Sequence, residues 1–408
     1  MFKLHRCLLY VWSRFMDAFP RIAIVGGGPG GLTLARILHC HGIASTVFER
    51  EANPSDRPQG GTLDLHAESG QLALRRAGLT TEFQRIARYD DQGSRLFDKT
   101  GTLRFESADA SSRDRPEVDR SALRDMLLAS LPDDVVRWNS ELHDVRRLDG
   151  GNWQLSFADG RQTSAGLIVG ADGTWSRVRP LLSHYQPQYS GLTFIEFGID
   201  EVDTRHPDIA ALVGHGKMAA IGNARSLIAQ RNGNAHIRVY AVFRVRPNWV
   251  ADTFDFSSAP AMRRALLDQF EGFAPNILAL IHASNEHFAA RPIYALPVGH
   301  RWPNQHGLTL IGDAAHVMSP FGGEGVNAAM LDAAELAGNL ADSLAKGSDW
   351  RAAVADYETR MFDRVVEPAK MSALAAAVKL SHDELAHVLT HLRTHEVDAN
   401  SETQRDIA

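Results

Sequence analysis

A glycine-rich turn near the beginning of the chain restricts the possible folds more than any other feature. The turn GGGPGG follows the short apolar run RIAIV and precedes a segment in which apolar residues recur with helical spacing. It fits the pattern G-x-G-x-x-G at Gly26, Gly28 and Gly31. In this pattern the first glycine permits a tight turn, the second lets the main chain approach a pyrophosphate, and the third lets helix and strand pack closely. The glycines by themselves also suit other α/β proteins, so the flanking residues decide the interpretation.

Those flanking residues favour a dinucleotide. A second predicted strand, STVFER, carries Glu49 at its end, eighteen residues after Gly31, and Arg50 follows. A carboxylate at this position can accept hydrogen bonds from ribose hydroxyls, while the helix N-terminus faces the negative phosphates. Strand, helix and acid in register predict a βαβ unit that binds a dinucleotide. The motif does not separate NAD from FAD.

A segment much later in the chain separates the two. GLTLIGDAAHVMSPFGGEGVN begins as a buried strand, continues through a loop rich in Pro and Gly, and enters a helix near Asn327. Asp313 is placed to bind a ribityl hydroxyl of a flavin, and the main chain of Gly322 and Gly323 to lie against the isoalloxazine ring. The positive end of the helix dipole would stabilise the negative charge of reduced flavin. For Asp313 taken alone, helix capping is the alternative.

A third segment, GADGTWSRVR, has the same strand-then-turn character. An apolar strand ends in Asp172, and Ser176, Arg177 and Arg179 follow within seven residues. A helix cap would explain Asp172 or Ser176 singly, but not the whole pattern. We therefore predict that this turn also lies near the dinucleotide.

Composition excludes several classes of function. The 408 residues suffice for two or three joined units, and an apolar fraction of 44% with a charged fraction of 23% is typical of a globular protein. A net charge of -6 without a dense Lys/Arg block argues against nucleic acid as a partner. Two cysteines exclude a disulfide framework and a Cys-rich metal site, so we predict no metal and a cytoplasmic protein.

The predicted fold is α/β: a Rossmann-like FAD-binding domain with an inserted, mainly antiparallel β domain for the substrate and a C-terminal helix. The FAD-binding domain is expected at residues 21–184 and 296–345, and the substrate domain at 185–295. Residues 346–408 are predicted as a helical segment and tail. Residues 1–20 form an N-terminal extension, whose apolar run is too short to span a bilayer and lacks a cleavage site, so we expect no stable membrane insertion.

The three motifs in this order resemble the class A flavoprotein monooxygenases, which have the para-hydroxybenzoate hydroxylase fold. The resemblance runs from about residue 21 to about residue 370. Residues 57–66, 69–71, 77–79 and 116–124 are further similar to the tetracycline-inactivating monooxygenases. The resemblance implies FAD as cofactor, NADPH or NADH as reductant, and a small molecule and dioxygen as substrates.

Roles for individual residues also follow from the resemblance. It implies that Arg57 contacts NADPH and that Asp64 and Arg120 are FAD ligands, although a solvated surface position is the alternative for both arginines. Asp313 matches the flavin-binding aspartate. Pro320 and Gly323 match the loop beside the ring and substrate.

The chain departs from the tetracycline-inactivating group at several positions. Glu324 replaces a Gln in the loop of residues 319–325, which we call the flavin loop. In the inserted domain the residues expected at the substrate are Glu196, Lys217 and Arg238, where that group has Gln, Arg and His. This departure puts tetracycline in doubt as the substrate and leaves FAD binding unaffected. Met218, and Phe321 in the flavin loop, complete the set of candidate substrate contacts.

The resemblance implies a mechanism in which the cofactor does the chemistry. NAD(P)H reduces the flavin, dioxygen adds at flavin C4a, and the hydroperoxide transfers oxygen to the substrate. No catalytic side chain is assigned, although His66, His236 and His316 are candidates for a base, each with a packed or surface histidine as the alternative. Aromatic and apolar side chains that could line a pocket, or belong to the ordinary core, are Phe194, Phe197, Met218, Phe243 and Phe321.

Other flavoproteins are the competing interpretations. A halogenase is disfavoured because the seven tryptophans include no W-x-W pair. An FAD-dependent oxidase or reductase, or a non-catalytic flavin-binding redox sensor, stays open. A plain NAD-dependent dehydrogenase would leave the loop after Asp313 without a purpose. We expect a monomer or a weak homodimer.

Overall fold

The parallel sheet that the sequence predicts around the glycine-rich turn is present in the computed structural model. The structure describes residues 19–56, 60–107, 115–381 and 384–390. Arg57, nearly all of the predicted N-terminal extension and the predicted tail lie outside these residues. The chain divides into two compact units, which are described separately below. Unit 1 comprises Met1–Ala87, Arg120–Gln188 and Tyr294–Ser372, and unit 2 comprises Arg88–Asp119, Tyr189–Ile293 and Ala373–Ala408.

The longest strands of the described residues have twelve, nine and eight residues, and the others have seven or fewer. In chain order they are β1 Ile22–Val25, β2 Ser45–Phe48, β3 Thr62–Asp64, β4 Gly93–Asp98, β5 Leu103–Ser107, β6 Glu117–Asp119, β7 Val136–Arg137, β8 Leu142–Arg147, β9 Trp153–Phe157, β10 Gln162–Ala165, β11 Leu167–Gly170, β12 Gln188–Ile199, β13 Gly216–Gly222, β14 Arg225–Asn232, β15 His236–Arg244, β16 Ala289–Ala295 and β17 Leu308–Leu310.

The helices include two long ones near the C-terminal end. In chain order they are α1 Pro29–Cys40, α2 Gly70–Arg76, α3 Thr80–Ile86, α4 Arg120–Ala129, α5 Val202–Arg205, α6 Pro207–Val213, α7 Trp249–Thr253, α8 Ala259–Gln269, α9 Pro275–His282, α10 Asp313–His316, α11 Glu324–Lys346 and α12 Trp350–Val378. Among the described residues, no helix combines the length and the apolar character needed to cross a membrane.

Unit 1 is built on a parallel sheet. Its described strands have the order β17-β11-β1-β2-β7, and every neighbouring pair is parallel. The inner strands β1 and β11 are buried at every residue, which explains their continuous apolar sequence. Strands β8, β9 and β10 form a separate antiparallel sheet. Because the strands of the parallel sheet run in one direction, the loops after β1, β2, β11 and β17 lie at one edge.

Unit 2 contains a seven-stranded sheet with the order β16-β12-β15-β14-β13-β4-β5. One face packs against helices α6, α8 and α9 to form the core, which includes Phe197, Met218 and Phe270. Since side chains alternate along a strand, the neighbours Glu196 and Lys217 belong to the other face. The predicted mainly antiparallel domain is therefore confirmed, and so is the α/β fold class.

The structure differs from the predicted domain boundaries at residues 88–119. We expected this stretch in the FAD-binding domain, whereas β4 pairs in parallel with β13, more than a hundred residues later, and belongs to unit 2. The pairing depends on two distant segments, so the local pattern of β4 and β5 carries no sign of it. Likewise, the C-terminal segment is divided, because residues after Ser372 belong to unit 2.

Candidate cofactor site

The loop after β1 is shaped by its glycines. Gly26 has a positive φ of 110°, and a Cβ atom added there would lie 2.3 Å from the carbonyl oxygen of Ala171. A Cβ on Gly31 would lie 2.1 Å from the carbonyl oxygen of Gly26, so both positions require glycine. At Gly28 an added Cβ would meet no atom of the described residues within 4 Å, apart from those of the two adjacent residues. The turn is therefore tightly packed on the protein side and open at Gly28, where another group can approach the main chain.

Helix α1 begins directly at this opening. Gly28 is its N-cap residue, Pro29 occupies the first turn, and no acidic side chain or side-chain cap is present there. The first N–H groups of a helix lack partners within the helix and carry partial positive charge. Since its own first turn contains no acidic side chain, this end suits an anion such as a pyrophosphate.

Glu49 follows β2 at the same edge and is only 8% exposed. Its Oε2 accepts a hydrogen bond from the main-chain N–H of Gly27 at 2.6 Å, and its Oε1 accepts one from Glu51 at 3.0 Å. These bonds fix the carboxylate, while each oxygen keeps capacity for a further donor such as a ribose hydroxyl. Arg50, the next residue, is exposed.

The loop after β11 contains a second oriented acid. Oδ2 of Asp172 accepts a hydrogen bond from the main-chain N–H of Arg177 at 2.8 Å. Its Oδ1 is buried and has no hydrogen-bond partner among the described residues. Burial raises the pKa of Asp172 above its ordinary value of 3.8, although the hydrogen bonds from Ser176 and Arg177 oppose this. A buried oxygen without a donor is consistent with a ligand that supplies one.

The main chain of the loop after β17 is fixed by hydrogen bonds from buried side chains, while the acidic residue of this loop, Asp313, faces solvent. Asp313 is exposed, whereas the next residues are buried. Nη1 of the buried Arg179 donates to the carbonyl of Ala314 at 3.0 Å, and Nδ1 of the buried His300 bonds to the carbonyl of Ala315 at 2.8 Å. The main chain of α10 is thereby fixed, and the Asp313 side chain is left available for a ligand.

Neutral His300 holds the carbonyl of Ala315 by a hydrogen bond. Burial lowers its pKa from the ordinary value of 6.5, and the nearby charges of Arg179 and His316 lower it further, against the hydrogen bond to Ala315. Because a carbonyl only accepts, Nδ1 must carry the hydrogen, so Nε2 accepts from the Ser183 hydroxyl at 2.8 Å. His300 was not predicted, since no local motif marks it.

The flavin loop and the segment after β3 meet at Asn327. A Cβ on Gly323, which has a φ of 69°, would lie 3.0 Å from Oδ1 of Asp64. The buried side chain of Asn327 bonds to the main chain of both segments, including Asp64 and His66. The structure therefore brings Asp64 and Asn327 together. The Asn327 amide bonds to the protein main chain, so only the main chain of Asn327 is left for a cofactor.

The other predicted residues of unit 1 have varied positions. Pro320 is exposed and Phe321 half-buried in the same loop. Arg120 is the half-buried first residue of α4, and its N–H donates to the carbonyl of Gly61 at 3.2 Å. Arg124, the last residue of the motif at 116–124, forms a buried ion pair with Glu51 at 2.5 Å.

The candidate substrate residues of unit 2 separate into two groups. Glu196 accepts hydrogen bonds from Arg238 at 2.8 Å and from Arg291 at 2.9 Å. Lys217 pairs in register with Gln230, which pairs with Arg238, so these side chains share a face of the sheet. Arg291 was not predicted, because it lies on the distant strand β16.

Met218 lies on the opposite face of that sheet, in the core with Phe197 and Phe243. For these three residues the structure agrees with the ordinary-core alternative, so Met218 does not lie among the candidate substrate contacts of the polar face. Phe194 is on the polar face, 5.7 Å from the ring of Tyr240.

The three candidate base histidines are all paired with acids. His66 is buried, with Nε2 3.2 Å from Asp64, and Glu324 lies 3.8 Å from its Nδ1. His316 is buried 2.7 Å from Asp332. His236 belongs to unit 2 and lies 2.8 Å from Asp200, so only the first two are in the unit that carries the cofactor loops.

These loops together fit a flavin dinucleotide. The open main chain at Gly28, the uncapped helix end and the oriented Glu49 suit the adenosine diphosphate part. The buried Oδ1 of Asp172, which has no partner in the part of the chain that the structure describes, and the exposed Asp313 on its fixed loop provide further polar contacts at the same edge of the sheet.

Known proteins share both sequence and fold with this chain. The family described as FAD binding domain matches residues 20–367. Monooxygenase penA of Penicillium thymicola is 33% identical over 368 residues, covering 78% of this chain and 84% of penA. Among solved structures, HpxO of Klebsiella pneumoniae complexed with FAD and uric acid has a TM-score of 0.75 at 20% identity, covering 93% of this chain and 95% of HpxO. Tetracycline destructase Tet(51) has a TM-score of 0.67 at 22% identity, covering 95% of this chain and 96% of that protein.

The chain therefore belongs to the family of FAD-dependent monooxygenases defined by this FAD binding domain. The predicted resemblance to the class A flavoprotein monooxygenases is confirmed, and the prediction of an FAD-binding fold with it.

Proposed function

We propose that this protein uses FAD, NAD(P)H and dioxygen to hydroxylate a small aromatic or polycyclic molecule. The observation that carries the proposal is the edge of the parallel sheet in unit 1. There the open main chain at Gly28, the fixed carboxylate of Glu49 and the exposed Asp313 follow three strands of one sheet. When bound at this edge, FAD supplies the activation of dioxygen.

Each loop has a distinct task in holding the cofactor. The N-terminus of α1 binds the pyrophosphate through main-chain N–H groups. Glu49 accepts hydrogen bonds from the ribose hydroxyls, and Asp313 accepts them from the ribityl chain. Main-chain contacts at Pro320 and Gly323, together with Asp64 and Arg120, complete the set.

Helix α11 adds an electrostatic contribution. Its N-cap is Gly323, so the partial positive charge of the helix end is directed at the flavin loop. That charge would favour a negatively charged form of a cofactor bound there. Glu324 in the first turn opposes this effect with a negative charge, and it is the position at which the chain departs from the tetracycline-inactivating group.

The polar face of the unit 2 sheet supports a substrate with an anionic or enolic oxygen. Lys217, Arg238 and Arg291 place three positive side chains on strands β13, β15 and β16, against the carboxylate of Glu196 and that of Glu117, which accepts a hydrogen bond from Gln230 at 3.5 Å. Glu196 orients the two arginines, and the remaining positive charge favours a negatively charged partner. Phenols and enols of aromatic or polycyclic compounds have this chemistry.

Tetracycline inactivation is the narrower candidate. It is favoured by the similarity of residues 57–66 and 116–124 to the tetracycline-inactivating monooxygenases and by the fold shared with tetracycline destructase Tet(51). The identities of Glu196, Lys217 and Arg238 weigh against it, because they differ from the residues that the resemblance leads us to expect.

The test is turnover by the purified yellow protein. Oxidation of NADPH and of NADH is followed under air with tetracycline and with a series of phenols and enols, and products are analysed by mass spectrometry with isotopically labelled dioxygen. We expect one compound to accelerate both NAD(P)H oxidation and oxygen uptake, and to gain one labelled oxygen atom. The control variant Asp342→Asn, which changes an exposed residue of α11, should show the same turnover as the wild type.

Other outcomes identify the competing functions. Hydrogen peroxide as the only oxygen product, or a saturated substrate bond, would identify an oxidase or a reductase. Bound FAD without substrate-stimulated NAD(P)H oxidation would indicate a redox sensor. A colourless protein that takes up no FAD would contradict the proposal altogether.

A further inference from the structure

A buried carboxylate lies behind the loop that carries Asp313. Asp332, on α11, is fully buried with an exposure of 0%. Its Oδ2 accepts a hydrogen bond from the main-chain N–H of Gly312 at 2.8 Å and one from Nε2 of His316 at 2.7 Å. Its Oδ1 accepts a hydrogen bond from Arg364 at 2.9 Å. Three donors therefore converge on one side chain, from β17 and its loop, from α10 and from α12.

This carboxylate is ionised despite its burial. Burial by itself raises the pKa of Asp332, but His316, Arg364 and the N–H of Gly312 lower it more, so the pKa lies below its ordinary value of 3.8. Taking a carboxylate out of water is unfavourable unless donors surround it. A neutral side chain could fill the same volume without that cost, so the charge at this position needs another explanation than packing.

The contact between Asp332 and the main chain of Gly312 provides an explanation for the buried charge. Gly312 has a φ of 60°, and a Cβ there would lie 2.8 Å from the Cβ of Ala329 on α11, so the turn is pressed against the helix. The hydrogen bond to Asp332 sets the plane of the peptide that precedes Gly312. Asp313 is the next residue, and its exposed side chain begins where this turn ends. A change in the turn would thus redirect Asp313.

We propose that Asp332 is a positioning residue for the cofactor: it fixes the Gly312–Asp313 turn and so sets the affinity for FAD without touching it. His316 and Arg364 keep Asp332 charged and in place, and the same Nη2 of Arg364 that bonds to Asp332 also donates to Glu335 at 2.8 Å. The proposal rests on the function proposed above, in which Asp313 binds the flavin.

A double-mutant cycle tests it, with FAD affinity of the apoprotein measured by quenching of flavin fluorescence. Asp332→Asn keeps the shape but turns one acceptor into an N–H group that must face Gly312 and His316 or Arg364. We expect the dissociation constant for FAD to rise about tenfold in the wild-type background, and by less than about twofold in an Asp313→Ala background. Asp342→Asn, on the exposed side of the same helix, is the control and should leave the affinity unchanged.

The outcomes are separable from those of the proposed function. An equal effect of Asp332→Asn in both backgrounds, or lower apoprotein stability with unchanged FAD affinity, overturns the positioning role while leaving Asp313 as a flavin ligand. If Asp313→Ala itself leaves FAD affinity unchanged, the site assignment and the positioning role both fail. Should Asp332→Asn not fold, Arg364→Gln replaces it in the cycle, because this variant retains Asp332 and removes one of its donors. We then expect a several-fold rise in the dissociation constant for FAD that vanishes in the Asp313→Ala background. A rise of equal size in both backgrounds overturns the proposal.

Discussion

The side-chain amide of Asn327 donates a hydrogen bond to the main-chain carbonyl of Asp64 over 2.9 Å, although the two residues are 263 positions apart. The same amide also donates to the carbonyl of Gly323 at 3.3 Å, and its oxygen accepts from the N–H of His66 at 2.9 Å. Asn327 is fully buried, so its amide substitutes for water at main-chain groups of two loops. The flavin loop and the segment around Asp64 are therefore joined through one side chain.

Replacing Asn327 with Asp is expected to destabilise the protein. The substitution removes the two N–H donors and directs carboxylate oxygens at the carbonyls of Asp64 and Gly323. We expect a loss of about 2 to 4 kcal/mol in the free energy of unfolding, measured by denaturant titration. The same change at the exposed Asn152 is the control, and an equally small effect at both positions would contradict the role of Asn327.

Replacing Glu49 with Gln is expected to weaken FAD binding. Both carboxylate oxygens accept main-chain N–H groups, from Gly27 and Glu51, so a side-chain NH2 group must face one of these donors. The reoriented side chain loses an acceptor for the ribose hydroxyls. The dissociation constant for FAD should rise about tenfold in a fluorescence titration. Glu82→Gln, at an exposed position of α3, should leave it unchanged, and an unaltered constant in Glu49→Gln would refute the assignment.

His300 predicts a pH dependence of stability. Because its pKa in the folded protein is lowered below 6.5, the unfolded chain binds the proton first as the pH falls. The stabilising contribution of neutral His300 is thus complete above about pH 6.5 and is lost as the pH falls toward the folded pKa. The free energy of unfolding, followed between about pH 7.5 and about pH 5, should decline less steeply in His300→Gln than in the wild type.

The control for that experiment is His184→Gln, at an exposed position of the same unit. It should reproduce the wild-type slope. A slope that is equal in all three proteins would mean that protonation of His300 does not contribute to the pH dependence of stability. The hypothesis that a neutral His300 holds the carbonyl of Ala315 would then be wrong.

Replacing Glu324 with Gln is expected to raise the reduction potential of the bound flavin. Glu324 is the first residue of α11, where a negative charge opposes the positive end of the helix dipole. Its removal favours the reduced, negatively charged cofactor by roughly half to one kcal/mol, or about 10 to 20 mV for a two-electron couple. Equilibration with a redox dye measures the shift. A potential that stays the same or falls would show that Glu324 does not act on the flavin, and Asp342→Asn provides the matched control.

Local features of the sequence predicted the parts of the site that depend on adjacent residues. The turn from Gly26 to Gly31 was predicted with its strand and helix, because a tight turn and close packing demand glycine at fixed spacing. Glu49 and Asp313 were predicted at strand ends, because each directly follows a segment with the sequence pattern of a strand. Strand direction is implied by the βαβ pattern, and with it the common edge at which these residues lie.

The groups that hold these residues could not be predicted in the same way. Arg179 reaches Ala314 across 135 positions, and the ion pair between Arg124 and Glu51 spans 73. The assignment of residues 88–119 to unit 2 depends on β4 pairing with β13. Nothing in the neighbourhood of either partner marks such a contact.

The sequence alone thus determined the fold class and the cofactor class, and it predicted the glycine turn and the acidic residues at the strand ends, because each of these follows from short-range periodicity and spacing. Only the tertiary structure decided that Asn327 serves the protein's main chain, that Met218 belongs to a core, and that Asp332 and His300 support the loop of Asp313. The physical reason is that burial and hydrogen bonding are properties of residues brought together in space. A carboxylate such as Asp332 has no distinguishing chemistry until three donors from separate elements surround it.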